Sequence, residues 1–479
     1  MSNKVVKMKK IVKVLILWFC VLLFLSTVKI FSYNNILAKE GEKTTEDTFN
    51  NTTNENNIFF NSLRIQIKKF INFGENIIDG LTKDNKFGII TRCYFEAGNI
   101  YDIYADRDVS IYSQSFRIPF GEITNNGVII IGGDARYLSA SDVSPIDVVI
   151  KRSIDYGNSF FDTQIVMEKS NIPGVTNARV GDCTILVDRD TNRVFLFALR
   201  QDTDKGWQAR EATWRYKCNN YDDAKARMVY KYSDDDGATW SEEISLEGII
   251  DKESEITAFG GIGKGITMHD GTLVLPIQVK MISDNYNSDE PDENGRFYIQ
   301  STILYSKDHG NTWTRGKMIP ATTIEPTIVE IENGTLLINC KTMNHKYRLL
   351  YTTNDLGLTW NALNVTSLQD PLCKGSMDKI LDTNGTSLIL FANPDSANVR
   401  HRMTLKISEN GIDWNSFLCF YKLESGGYSC IFHDDEFIYL VYEVSGYSLC
   451  FTRIPQEFLR MSTIGENLVT ELFETIQEN

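Results

Sequence analysis

Ser233-Asp-Asp-Asp-Gly-Ala-Thr-Trp240 recurs along the chain. Close copies are Ser153-Ile-Asp-Tyr-Gly-Asn-Ser-Phe160, Ser306-Lys-Asp-His-Gly-Asn-Thr-Trp313 and Thr353-Asn-Asp-Leu-Gly-Leu-Thr-Trp360. A copy one residue shorter is Ser408-Glu-Asn-Gly-Ile-Asp-Trp414. The consensus, Ser-x-Asp-x-Gly-x-Thr-Trp, has the chemistry of a hairpin turn. Asp accepts nearby backbone N–H groups, Gly supplies a positive φ, and Trp packs back beneath the turn.

Outward from these turns lie short β-rich runs. They include Val128-Ile-Ile-Ile131, Val194-Phe-Leu-Phe197, Leu273-Val-Leu275, Leu336-Leu-Ile338, Leu388-Ile-Leu390 and Phe437-Ile-Tyr-Leu440. Several follow Asn-Gly or Asp-Gly, as at Asn126-Gly127, Asp270-Gly271, Asn333-Gly334 and Asn384-Gly385. Such pairs favour type I′ hairpins, which need positive φ at both central residues. Strands at this spacing make a sandwich, a barrel or a propeller.

Composition narrows the function classes. The 479 residues carry 49 basic and 63 acidic side chains, a net charge of −14. A basic nucleic-acid surface is therefore excluded as the working hypothesis. Nine Cys without a Cys-x-x-Cys pair, and five His, leave little material for a metal centre. We expect no metal and no organic cofactor.

The ends read differently from the middle. Residues 1–38 hold Lys4, Lys7, Lys9, Lys10 and Lys13 ahead of an apolar run from Val14 to Leu25. This is a signal-peptide pattern, cleaved after Ala38 or retained as a membrane tether through residues 11–31. A secreted or cell-surface protein is expected. Residues 39–57 form a polar linker, and 58–94 an N-terminal helical segment with Leu63, Ile67, Phe70 and Ile71 on one face. Residues 461–479, with Ile464, Leu468, Leu472 and Ile476, read as a C-terminal helix.

The repeated turn resembles the Asp-box of sialidase-type β-propellers. Ahead of its first copy stands Ser115-Phe-Arg-Ile-Pro119. Phe-Arg-Ile-Pro followed by Asp-boxes is the pairing found in exo-sialidases and trans-sialidases. The resemblance runs from about residue 95 to 458. It implies an all-β fold: one six-bladed β-propeller over 95–460, built of four-stranded antiparallel blades of about 60 residues each. It implies an exo-α-sialidase that hydrolyses terminal sialic acid from glycoproteins, glycolipids or oligosaccharides, with retention through a Tyr nucleophile.

The chemistry of a sialoside fits the residues so implied. Its anomeric carbon bears a carboxylate, which guanidinium groups meet bidentately. The family uses three Arg. Arg117 matches the first and Arg400 the third. At the second, in the strand that follows Ile324-Glu-Pro-Thr-Ile-Val-Glu, this chain has Lys341, a point charge without the planar fork. Arg348 is the alternative that could reach in from seven residues on. Tyr428, in Gly-Gly-Tyr-Ser429, matches the nucleophile, and Glu325 the base that deprotonates it. Asp142 matches the acid/base carboxyl, with Asp147 a rival by spacing that is read instead as starting the next strand. Arg136 and Asp182 are implied near the sugar's C4 hydroxyl, Gln278 elsewhere in the pocket, and Glu443 as the carboxylate that orients Arg117.

Two other readings share these residues. Lys341 motivates a propeller that holds sialic acid without cleaving it. A trans-sialidase would differ in its acceptor side, where 201–224, with Trp207, Trp214, Tyr216 and Tyr221, forms an aromatic wall or an ordinary loop.

Overall fold

The computed structural model describes residues 90–95, 115–204, 220–283, 290–381, 386–422, 426–444, 448–456 and 459. All lie in the compact unit Ile89–Asn479. The expected leader, the linker, most of the 58–94 segment, the C-terminal helix and Trp207, Trp214 and Tyr216 fall outside the described residues.

The described residues form 26 strands, and helix is confined to short turns such as Tyr221–Ala224 and Glu247–Ile249. The architecture is all-β, a propeller-like arrangement of four-stranded sheets. Thr323–Glu332, Thr335–Thr342, Leu349–Thr353 and Asn361–Leu363 make one sheet. Ser376–Leu381, Ser387–Pro394, Met403–Ser408 and Asn415–Tyr421 make a second. A third orders Glu255–Gly260, Leu273–Met281, Ile299–Ser306 and Thr314–Arg315, with Ile266–Thr267 added on Leu273–Met281. A nine-stranded sheet runs from Ser115–Ile123 to Ile244–Ser245. Hydrogen bonding thus groups the described strands into five sheets, where the sequence reading has six blades.

The fifth sheet joins the first and the last of the described strands. Ile90–Phe95 pairs antiparallel with Ser448–Pro455, beside Phe437–Val444 and Ser429–His433. Cys93 and Cys450 face each other in that register and are joined as a disulfide. Among the described residues, Ile90–Phe95 is the first strand of the sheet structure.

The core lies between sheets, in layers, as alternating strands with both faces covered require. Phe432, Tyr439 and Phe451 of the closing sheet pack with Phe116, Ile129 and Ile131 of the next. The repeated turns fasten these layers. In each full copy the Ser or Thr hydroxyl accepts the Gly N–H at 2.8–2.9 Å and donates to the Asp carboxylate at 2.7–2.8 Å. The other Asp oxygen takes the Ser or Thr hydroxyl four residues on at 2.6 Å. Trp313 then stands edge-on to Phe195 and Phe197 of the preceding sheet, with ring centroids 5.9 and 5.2 Å away.

Asn384-Gly385 lies outside the described residues, and the three described Asn-Gly and Asp-Gly hairpins differ from the expected type I′. Gly127, Gly271 and Gly334 have positive φ, but Asn126, Asp270 and Asn333 do not. Gly127 N–H donates to Thr124 O, and Thr124 N–H to Val128 O. This is a type I turn closed by a left-handed Gly, the three-residue alternative that the same dipeptide serves.

The first strands of the sheets adjoin one another. Ser115–Ile123 touches Arg179–Val187 on one side and Ser429–His433 on the other. Ser429–His433 touches Ser376–Leu381, which touches Thr323–Glu332. Three of these strands break register between Arg117 and Phe120, between Gly181 and Thr184, and between Ile324 and Thr327, the last strand slipping again between Glu330 and Glu332. Within the breaks, Ile118, Asp182 and Glu325 have φ of 60°, 54° and 49°. A β-branched Ile at positive φ is a true outlier. Such bulges turn a side chain out of the strand's alternation, and they concentrate at functional sites.

Candidate active site

The bulge in Thr323–Glu332 frees the Glu325 N–H, which donates to Gln278 Oε1 at 3.1 Å. Gln278 Nε2 donates in turn to Gly260 O at 3.0 Å. So fixed, Glu325 Oε1 accepts the Tyr428 hydroxyl at 2.5 Å. Its other oxygen, Oε2, lies 2.6 Å from Lys341 Nζ, and Nζ also donates to the Tyr428 oxygen at 3.3 Å. Burial first, then the Glu325 charge, pushes the Tyr428 phenol well above its ordinary range, against the pull of Arg400 and Arg117. The resting phenol is therefore protonated, and a base is already on its proton.

Three cations surround the Tyr428 ring. The Arg117 and Arg400 guanidinium carbons lie 5.3 and 5.4 Å from its centroid, and Lys341 Nζ 5.5 Å. Arg400 is anchored by a bond from Nη2 to Leu372 O at 2.7 Å. Arg117 is anchored by Glu443, whose Oε1 takes Arg117 Nε at 3.2 Å and the Ile118 N–H at 2.9 Å. Oε2 of the same carboxylate takes the Tyr428 N–H at 3.2 Å. Burial works to raise the Glu443 carboxyl, but Arg117 and these N–H groups hold it below the usual range. Gly427 permits the approach: a Cβ there would meet Glu443 Oε2 at 2.1 Å.

Asp142 stands at the rim with its side chain 52% exposed. Its Oδ1 takes Arg136 Nη1 at 2.7 Å and lies 3.5 Å from Arg117 Nη1. Burial raises this carboxyl, but Arg136 and Arg117 outweigh it and hold Asp142 below the usual carboxylate range. Arg136 also pairs with Asp134 through Nη2 at 3.0 Å. Asp134 Oδ1 accepts the Asp182 N–H at 3.1 Å, tying the second bulge to this group. Burial, then the charges of Asp134 and Asp142, raise the half-buried Asp182 carboxyl well above its ordinary range.

The structure thus gathers Arg117, Asp142, Glu325, Lys341, Arg400, Tyr428 and Glu443 around one phenol, with Arg136, Asp134 and Asp182 beside them. Three expectations change. Arg136 is only 1% exposed and bonded to Asp134, Ala140 O and Asp142, so it supports the rim carboxylate rather than presenting itself to a sugar. Gln278 is fully buried and holds the Glu325 backbone instead of lining the pocket. Arg348 does not reach in: it is fully buried on Asn339, Asp370 and the Cys373 carbonyl. Asp147 lies buried in Ile146–Ser153 and accepts the Tyr137 hydroxyl at 2.6 Å. Asp134 went unread in the sequence, although Asp134 and Arg136, two apart on one strand, share a face.

Among the described residues Asp188, Asp190 and His309 bring metal-type donor atoms within 4.8 Å of one another. They belong to hairpin turns, and the groups around Tyr428 include none of them.

Comparison with known proteins decides the family. The family described as BNR repeat-like domain matches residues 135–440. A sialidase of Clostridium perfringens is 31% identical over 373 residues, which cover 72% of this chain and 90% of the relative. The chain belongs to the sialidase family, a family of glycoside hydrolases. Among solved structures, a Hadza microbial sialidase is 30% identical with a TM-score of 0.63, over 72% of this chain and 66% of that one. A Trypanosoma rangeli sialidase, solved with 2,3-difluorosialic acid as a covalent intermediate, shares the fold. Its TM-score is 0.61 at 24% identity, over 78% of this chain and 60% of that one. In this sialidase-family chain the propeller-like architecture therefore surrounds a Tyr–Glu pair and a cluster of cations.

Proposed function

We propose that this chain is an exo-α-sialidase that releases terminal sialic acid with retained configuration, using Tyr428 as its nucleophile. The 2.5 Å contact of Tyr428 with Glu325, ringed by three cations, carries the reading. A carboxylate nucleophile would be repelled by the carboxylate on the substrate's own anomeric carbon. A phenol with a base avoids this, and sialidases are a known Tyr exception among glycosidases.

Arg117 and Arg400 hold the substrate carboxylate. Glu325 takes the Tyr428 proton as the phenol oxygen bonds to the anomeric carbon. Asp142 gives its proton to the leaving oxygen as the glycosidic bond breaks. Asp142, now ionised, then takes a proton from water, whose oxygen attacks the same carbon. The bond to Tyr428 breaks and Glu325 returns its proton. Two displacements leave the configuration unchanged. Asp182, held protonated, donates to a sugar hydroxyl, while Arg136 and Glu443 keep Asp142 and Arg117 in place.

The substrates are sialylated glycoproteins, glycolipids or oligosaccharides, met outside the cell after export through residues 1–38 or from a tether at 11–31. The repeated turns are Asp-boxes, and the fold is a six-bladed propeller. Support for the count comes from the nine-stranded sheet, whose antiparallel halves 115–167 and 179–245 are bridged through the parallel pair Ile146 and Arg179.

Proton NMR of a reaction with an α-sialoside tests the proposal. The α-anomer of free sialic acid appears first, before it mutarotates. Release of the β-anomer first would overturn the two-step mechanism.

A further inference from the structure

The cation at the second clamp position is bound to the reacting pair rather than left open to a ligand. Lys341 Nζ lies 2.6 Å from Glu325 Oε2 and donates to the Tyr428 oxygen at 3.3 Å. Glu325 Oε1 meanwhile accepts that hydroxyl at 2.5 Å. The three groups close a triangle: one ammonium, one carboxylate and one phenol. The Lys341 side chain is 10% exposed and that of Glu325 8%, so the ion pair is poorly screened.

We propose that Lys341 is a catalytic residue that stabilises the Tyr428 phenolate, and that recognition of the substrate carboxylate rests on Arg117 and Arg400. This rests on the reading of Tyr428 as nucleophile.

When Glu325 takes the Tyr428 proton, negative charge moves from the carboxylate to the phenol oxygen. The ammonium already touches both atoms, so it follows that charge without moving far. A preorganised donor aimed at a developing anion is the arrangement that lowers a barrier. The compact ammonium has three donors on a flexible stem and can serve carboxylate and phenol together. A planar fork aimed at a ligand's carboxylate would divide its donors differently. In the covalent step Lys341 keeps its proton throughout. The Tyr428 proton goes to Glu325, the phenol oxygen bonds to the anomeric carbon, and the leaving group departs with its electron pair.

The test compares the full chain with Lys341→Met and Lys341→Gln, using 2,3-difluorosialic acid as a covalent probe and a fluorogenic sialoside for turnover. Thermal melting verifies that each variant is folded, and Lys341→Arg keeps the charge. The expected result is a fall of about a hundredfold in the maximal rate of labelling for Lys341→Met and Lys341→Gln, with the probe's apparent binding constant changed less than about threefold. Lys341→Arg recovers most of the labelling rate. A large rise in the binding constant with an unchanged labelling rate overturns the inference, because Lys341 would then be a carboxylate clamp only. Failure of the wild type to turn over the sialoside or to be labelled is a different outcome. It overturns the nucleophile reading on which the inference stands.

Discussion

Glu443 Oε1 accepts Arg117 Nε at 3.2 Å across 326 positions of sequence. Strand Phe437–Val444 of the closing sheet thereby sets a cation on Ser115–Ile123, the first strand of the neighbouring nine-stranded sheet. The same carboxylate takes the N–H groups of Ile118 and Tyr428, so one residue aligns the clamp and the nucleophile.

Glu443→Gln should therefore weaken substrate binding more than chemistry. The amide offers one acceptor oxygen where the carboxylate offers two, and it leaves Arg117 with Asp142, 3.5 Å away, as its remaining carboxylate neighbour. KM should rise about tenfold or more, with a stability loss of about 1–3 kcal/mol. Steady-state kinetics beside thermal melting reads both. An unchanged KM would remove Glu443 from its positioning role.

Asp142→Asn should discriminate between leaving groups. An aryl leaving group departs without protonation, but a sugar alcohol does not. Turnover of a sialyl oligosaccharide should fall by about 10²–10⁴, and that of a nitrophenyl sialoside by much less. Equal losses on both would show that Asp142 is not the acid.

The pH profile follows from the charges on Asp142. In the free protein Arg136 and Arg117, acting against burial, hold this carboxyl low. An acid is lost as pH rises through its pKa. The alkaline fall of kcat/KM, which reports the free enzyme, should therefore come at low pH. A bound substrate carboxylate neutralises part of the Arg117 charge, so the fall of kcat should come at higher pH. Coincident limbs would contradict this coupling.

The repeated turns should bear on stability alone. Hydrogen bonds from Thr359 and Thr353 hold the Asp355 carboxyl down, to about 2. A depressed carboxyl stabilises the fold above its unfolded pKa of about 4, and that contribution is lost as pH falls through about 2. Asp355→Ala should destabilise at neutral pH by about 1 kcal/mol or less, because solvent screens this exposed turn, and the difference should shrink across that window. Denaturant melts at several pH values measure it, with kcat unchanged.

What the sequence disclosed depended on whether a string or a register carried the information. The turn repeats lie in contiguous residues, and so do Phe-Arg-Ile-Pro and Gly-Gly-Tyr-Ser. Arg117 and Tyr428 were legible for that reason, and Arg400, Glu325 and Asp142 followed from the resemblance those strings carry. Gln278 and Asp134 act by accepting the Glu325 and Asp182 N–H groups, contacts made where the strands have slipped register. Local propensity gives no warning of those slips, because an Ile or a Glu at positive φ runs against its own preference. Arg348 looked free to reach the site because Asp370, its buried partner, lies 22 positions away. Asn126-Gly127 and Asn333-Gly334 announced hairpins correctly, but the dipeptide serves two turn types and does not choose between them.

The most direct test is turnover of a fluorogenic α-sialoside by wild type and by Tyr428→Phe, both verified as folded. The account predicts release of sialic acid by the wild type and a loss of at least about a thousandfold in kcat for the variant. Turnover by Tyr428→Phe near the wild-type rate would contradict the claim that the Tyr428 oxygen is the nucleophile.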